Sequence, residues 1–206
     1  ELFSVLDRDD VLTPHPGDKM LAERMPELQK LANRLRGKTS RGIAFYKPPG
    51  AESAENMYLA DYLGMIGLPI LPVAQYPKEA KVAFLPVQAA GDGQLLDQMQ
   101  RHLKRGATLV VMPALLRLLG PEAARLAGVS VGTASEPAAA GAVEIAGKTT
   151  TLDAPLELDA AMQADAGEVL MAAALPDRKV PFLTRKAVGR GELQVLNVRT
   201  FSEQDF

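Results

Sequence analysis

The segment Ala107-Thr-Leu-Val-Val-Met112 constrains the fold most. It carries no charge and no polar alternation, so a strand here is covered on both faces, as a parallel strand between helices is. The flanking sequence supplies those helices. Upstream, Asp92 is placed to cap a helix whose apolar face is Leu95, Leu96, Met99 and Leu103, with Gly106 as its stop. Downstream, Pro113 to Leu119 and Pro121 to Leu126 read as helical. Earlier still, Arg41 to Tyr46 reads as a strand ended by Lys47-Pro48-Pro49-Gly50, and Ser53 is placed to cap a helix running from Glu55 through Leu63 to Gly64. Leu68 to Val73 and Lys81 to Val87 are further extended runs. Strands alternating with helices at this pitch imply a parallel sheet with right-handed crossovers, hence an α/β fold.

The two ends depart from that rhythm. Glu1 to Gly17 is a lead-in rich in Asp and Pro, and residues 18–35 carry a helical stripe of Leu21, Met25, Leu28, Leu31, Ala32 and Leu35. Asp18 is expected as its N-cap and Gly37 as its stop, with Pro26 kinking or dividing it. After Gly128 helical periodicity fades. Ala142 to Ile145, Thr149 to Leu152 and Leu156 to Leu158 read as short strands, Ala134 to Ala142 as a loop, and Glu168 to Leu175 as another apolar run. Val180 to Val188 and Glu192 to Val198 read as two strands pinned by Gly189-Arg190-Gly191. The expected organisation is a lead-in and helix over 1–40 and an α/β domain over 41–206 with a β-rich C-terminal part.

Composition excludes several roles. The net charge of −2 gives no broad cationic field for phosphate backbones, so nucleic acid is not an expected partner. Aromatic residues make up 5% with no Trp, which disfavours a stacking platform. No apolar stretch has the ~20 residues a membrane helix needs, so membrane insertion is not expected. The absence of Cys removes disulfides, thiolate metal sites and thiol nucleophiles, and leaves the compartment undetermined. A chain that begins at Glu1 and ends at Phe206 directly after a strand is expected to be a segment of a longer polypeptide.

Three segments taken together carry a family likeness: Val82-Ala-Phe-Leu-Pro86 followed by the helix from Asp92 to Lys104; Gly106-Ala-Thr-Leu-Val-Val111; and the terminal hairpin with Pro181-Phe-Leu-Thr-Arg185. Over roughly Arg41 to Thr200 the chain resembles the class I glutamine amidotransferase-like domain, in the version found after the barrel of bacterial β-galactosidases that trimerise. The resemblance implies a flavodoxin-like, three-layer sandwich around a central, mainly parallel sheet. It also implies a non-catalytic accessory or oligomerisation role in a larger, carbohydrate-active bacterial protein, with flanking domains and sister copies as partners and no cofactor. Catalytic members of that fold mount a Cys on the tight turn after the central strand. Here that turn is Met112-Pro113-Ala114-Leu115, with no nucleophile, and Pro113 lacks a backbone N–H for an oxyanion hole.

Other candidate chemistry is sparse. His15 and His102 are the only histidines, one in a Pro-flanked loop and one on an apolar helix face, and both read as structural rather than ligating. Glu55 and Asp61 are six residues apart on a helix, about 120° apart in rotation, and do not converge. The remaining candidate is the crevice at the C-terminal ends of the parallel strands, lined by Tyr46, Lys47, Asn56, Gln88, Asp92 and Met112. There Lys47 and Asn56 are expected to grip a carboxylate or sugar hydroxyl, with Gln88 and Asp92 beside them. A small-ligand module is therefore the rival to an assembly domain, and carboxylate-based hydrolysis ranks last.

Overall fold

The computed structural model describes residues 16–51, 59–133 and 137–199. By internal contacts it divides into residues 1–40 and residues 41–206.

In the first unit a single helix, α1 (Pro16–Leu35), accounts for the described structure. Its stripe residues Leu21, Met25, Leu28, Leu31 and Leu35 are all exposed, at 40–57%. Pro26 does not divide it; the helix runs unbroken to Leu35. On an exposed helix the carbonyl that proline leaves without its N–H partner can be met by water, so one lost bond in twenty residues is tolerated. The helix begins at Pro16, so Asp18 lies inside it rather than at its cap. Gly37 adopts φ +74°, the left-handed turn that ends the helix.

The second unit is built on a nine-stranded sheet. Its strands are β1 (Ile43–Tyr46), β2 (Ile70–Val73), β3 (Val82–Leu85), β4 (Thr108–Val111), β6 (Ala138–Ile145), β7 (Lys148–Leu158), β9 (Glu168–Ala174), β10 (Lys179–Val188) and β11 (Gly191–Leu196), in the order β2-β1-β3-β4-β11-β10-β9-β6-β7. A separate two-stranded ladder joins β5 (Val129–Ser130) to β8 (Gln163–Ala164). The helices are α2 (Leu59–Met65), α3 (Leu95–Lys104), α4 (Pro113–Leu119) and α5 (Pro121–Ala127), with a 3₁₀ turn at Val87–Gly91. The expected cap at Ser53 and the helix start near Glu55 lie outside the described residues.

The pairings from β2 through β11 are parallel, and those from β11 to β7 are antiparallel. The expectation of a mainly parallel sheet is thus corrected to one of two halves. The cause is local. Val188 pairs with Gly191 across the turn at Gly189-Arg190, so β10 folds back beside β11; a second tight turn, closed by Leu175 N–H donating to Arg178 O at 2.8 Å, reverses β9 into β10, and a third at Ala146-Gly147 reverses β6 into β7. Gly191 is required there: a Cβ would sit 2.3 Å from the Ala107 carbonyl oxygen and 2.7 Å from that of Leu103.

In the parallel half, alternate residues face opposite layers. Ala44, Leu85, Leu109 and Val111 pack with Leu95, Met99, Leu103 and Leu115 of α3 and α4. Phe45, Phe84 and Val110 face the other way, against Leu59 and Leu63 of α2. Phe45 and Phe84 stack with centroids 6.1 Å apart. The apolar run of β4 is therefore covered on both sides. The antiparallel half has a smaller core of Ala140, Leu158, Ala173 and Val180.

Two further expectations are corrected here. Residues 138–142, read as loop, belong to β6, because pairing with β7 and β9 fixes an alanine run of weak intrinsic preference. The two short strands at 149–152 and 156–158 are one strand, β7, carried through Asp153-Ala154-Pro155 by a register irregularity opposite Ala140 and Ala142.

Candidate functional site

The C-terminal ends of β1, β3, β4 and β11 form the edge where an open α/β sheet ordinarily holds a ligand. Here β4 ends at Val111 and the chain turns directly into α4. Met112, on the turn, is fully buried with extended backbone, and Pro113 takes the first helical position, where its missing N–H costs nothing. Leu116 N–H donates to Met112 O at 3.2 Å. With Leu115 and Leu116 also fully buried, the turn is part of the core and presents no reactive atom.

At the end of β1, buried Tyr46 donates its hydroxyl to Asp92 Oδ2 at 2.9 Å. Gln98 Nε2 donates to the same oxygen at 3.0 Å, and Gln94 N–H donates to Oδ1 at 2.9 Å. Asp92 does serve the start of α3, but from outside it: the helix begins at Leu95, and the carboxylate closes a turn onto Gln94. Burial, then the hydrogen bond to this carboxylate and its charge, push the Tyr46 phenol up to about 12. Asp92 is therefore occupied by three protein donors.

Lys47 is exposed, its backbone N–H donating to Val73 O at 3.0 Å. Gln88 is buried in the 3₁₀ turn, and its Oε1 has no hydrogen-bond partner among the described residues. Asn56 lies outside the described residues.

Below this edge runs an aromatic ladder. Tyr76 meets the Tyr46 ring edge-on at 5.4 Å and the His102 ring at 5.6 Å. His102 is 2% exposed. Its Nε2 lies 2.7 Å from the Ala80 carbonyl and so carries the proton, which leaves Nδ1 to accept from the Tyr76 hydroxyl at 3.2 Å. Burial pushes the imidazole below its ordinary pKa. His102 is thus a neutral core residue with both nitrogens used. Among the described residues, no three His, Cys, Asp or Glu side chains gather as a metal-binding group.

The sequence reading missed one buried polar cluster. Asn197, directly after β11, donates from Nδ2 to Asp159 O at 3.1 Å and Pro181 O at 2.9 Å, and accepts from Asp159 N–H at 2.9 Å. Arg117 of α4 pairs with Asp159 Oδ2, and Ala161 N–H donates to Oδ1 at 3.0 Å. Asp159 and Asn197 are both fully buried. The available signal was a polar residue directly after each of two apolar runs, Leu158-Asp159 and Leu196-Asn197. The cluster joins the ends of β7 and β11 to β10 and α4.

The family model described as "Uncharacterized protein SSO3021, second domain" matches residues 39–148, a little over half of the chain. No curated protein matches the sequence significantly. Among solved structures, the GH42 β-galactosidase Gan42B from G. stearothermophilus matches 97% of this chain and 33% of its own, with 13% identity and a TM-score of 0.58. The β-galactosidase from Bacillus circulans sp. alkalophilus matches 91% of this chain and 33% of its own, at 18% identity and a TM-score of 0.58. The cytoplasmic protein STM3548 from Salmonella typhimurium matches 77% of this chain and 87% of its own, at 12% identity and a TM-score of 0.50. These are likenesses of fold, and the chain spans about a third of the length of the β-galactosidases it matches.

Proposed function

We propose that this chain, which belongs to the family of the SSO3021 second domain, is a non-catalytic accessory domain of a larger, carbohydrate-active bacterial protein, where it holds flanking domains and sister subunits together. The observation that carries this reading is the match of nearly the whole chain to one third of GH42 β-galactosidases. The parallel strands support the finer assignment: their order, β2-β1-β3-β4 followed by β11, follows the 2-1-3-4-5 order of flavodoxin-like folds with β11 as fifth strand, in keeping with the resemblance to class I amidotransferase-like domains. The buried Met112-Pro113 turn then stands where that fold would mount its nucleophile. Sedimentation velocity over a hundredfold range of concentration tests the assembly role. The expected result is a sedimentation coefficient that rises with concentration; a monomer throughout contradicts it.

A second reading is favoured by Gln88, whose buried Oε1 has no partner among the described residues and sits beside the strand-end crevice. There the domain is a small-ligand module for a sugar or carboxylate, using Gln88 and Asp92 with Lys47 and Asn56. It predicts a thermal shift with such ligands that Lys47→Ala and Asn56→Ala abolish. A flat response across the panel removes it.

A further inference from the structure

At the opposite edge of the parallel strands, the loop before β3 meets the end of α3. Thr108 N–H donates to Lys81 O at 2.8 Å, holding the two segments together where β3 and β4 begin. Beside this junction lies a groove of about 160 Å³ lined by Lys78, Glu79, Lys81, His102 and Arg105 together with backbone. Its charged lining is three cations against one carboxylate, in a chain of net charge −2. Compensation of the α3 dipole accounts for Arg105 at the helix end, but not for Lys78 and Lys81, which come from a separate loop.

Arg105 is held from behind: its Nη2 donates to Lys78 O at 2.6 Å, so part of its conformational freedom is already spent. Its Nη1 lies 3.8 Å from Glu79 Oε1, beyond hydrogen-bond reach, and the Glu79 side chain is 81% exposed. Neither the Lys78 nor the Lys81 ammonium has a hydrogen-bond or ion-pair partner among the described residues. His102 has both ring nitrogens engaged and lines the groove without adding charge.

We propose that this groove binds a small tetrahedral oxyanion of the phosphate or sulfate class, held by the Arg105 guanidinium with Lys78 and Lys81 flanking it. At about 160 Å³ the groove is below the ~300 Å³ at which pockets for larger ligands begin, which favours a small anion. The lining presents no exposed aromatic face for a base. This site lies away from the Tyr46–Asp92 edge and stands whether or not the domain assembles.

The test is an NMR titration of the full chain with sodium phosphate at constant ionic strength, balanced with sodium chloride. With only two histidines, a His15→Gln variant assigns the His102 ring signals, which report on the groove. The expected result is a saturable shift of His102 and of the amides around 78–81 and 105–107, produced also by sulfate. Arg105→Ala and Lys81→Ala should each weaken it at least about tenfold while amides remote from the groove keep their wild-type positions. Arg105→Lys, which keeps the charge and loses the planar fork, should fall between. Glycerol phosphate in place of inorganic phosphate separates the sources: tighter binding assigns a phosphate ester, and equal or weaker binding a free anion. Shifts that chloride alone reproduces, or phosphate binding unchanged in both alanine variants, overturn the proposal.

Discussion

The two halves of the sheet are held by different means. In the parallel half β1, β3 and β4 bury apolar side chains on both faces, so hydrophobic burial dominates there. The antiparallel half has a smaller buried core of Ala140, Leu158, Ala173 and Val180, and the Arg117–Asp159–Asn197 cluster ties its end to the rest. Non-directional burial tolerates volume-conserving change, whereas a buried polar tie fails when any one partner is removed. The difference teaches where this chain is robust and where it is brittle.

The largest effect separating the halves lies in their cores. Leu109→Ala, in β4 between two layers, should cost about 3–5 kcal/mol, whereas Val180→Ala in the thinner half should cost only about 1–2 kcal/mol. Urea unfolding checks both, and equal losses would erase the distinction. Next comes the polar tie. Arg117→Ala leaves the buried Asp159 carboxylate without its cation and should cost about 3 kcal/mol, because the lost partner exposes an uncompensated charge. Arg117→Ala combined with Asp159→Ala should recover part of that loss, which a double-mutant cycle measures. Smaller again is Tyr46→Phe, which removes one of three donors to Asp92 and should cost about 1 kcal/mol.

The last sharpening is by pH. Burial depresses the His102 pKa, so its neutral form is the one the fold favours. The stability it contributes is present above the ordinary value near 6.5 and is lost as pH falls through the lower folded value. NMR titration should place the His102 pKa below the ordinary histidine value of about 6.5. On the alkaline side Tyr46, raised to about 12, stays protonated where an unfolded chain begins to ionise near 10, so its contribution fades between those values.

What the sequence made legible follows the same division. The parallel strands could be read because two-sided burial writes itself as an unbroken apolar run, as in Thr108–Val111, and the hairpin because Gly189 and Gly191 mark the turn. The alanine run of β6 could not, since its extended form is imposed by β7 and β9 rather than by its own side chains. Pro155 hid the continuity of β7 in the same way, by looking like a break. At the candidate edge, Asp92 was legible as a helix-start residue, but its bond to Tyr46 spans 46 residues of chain and leaves no local mark. Arg117, Asp159 and Asn197 are likewise brought together only by the fold, from positions 42 and 38 residues apart.

The central claim is that the turn after β4 carries packing instead of chemistry. Its most direct test is turnover by the purified chain, followed with p-nitrophenyl β-galactoside and with glutamine as amide donor. The account predicts rates that match a heat-unfolded control for both substrates. Saturable turnover above that control, abolished by a substitution in the turn after β4, would contradict it.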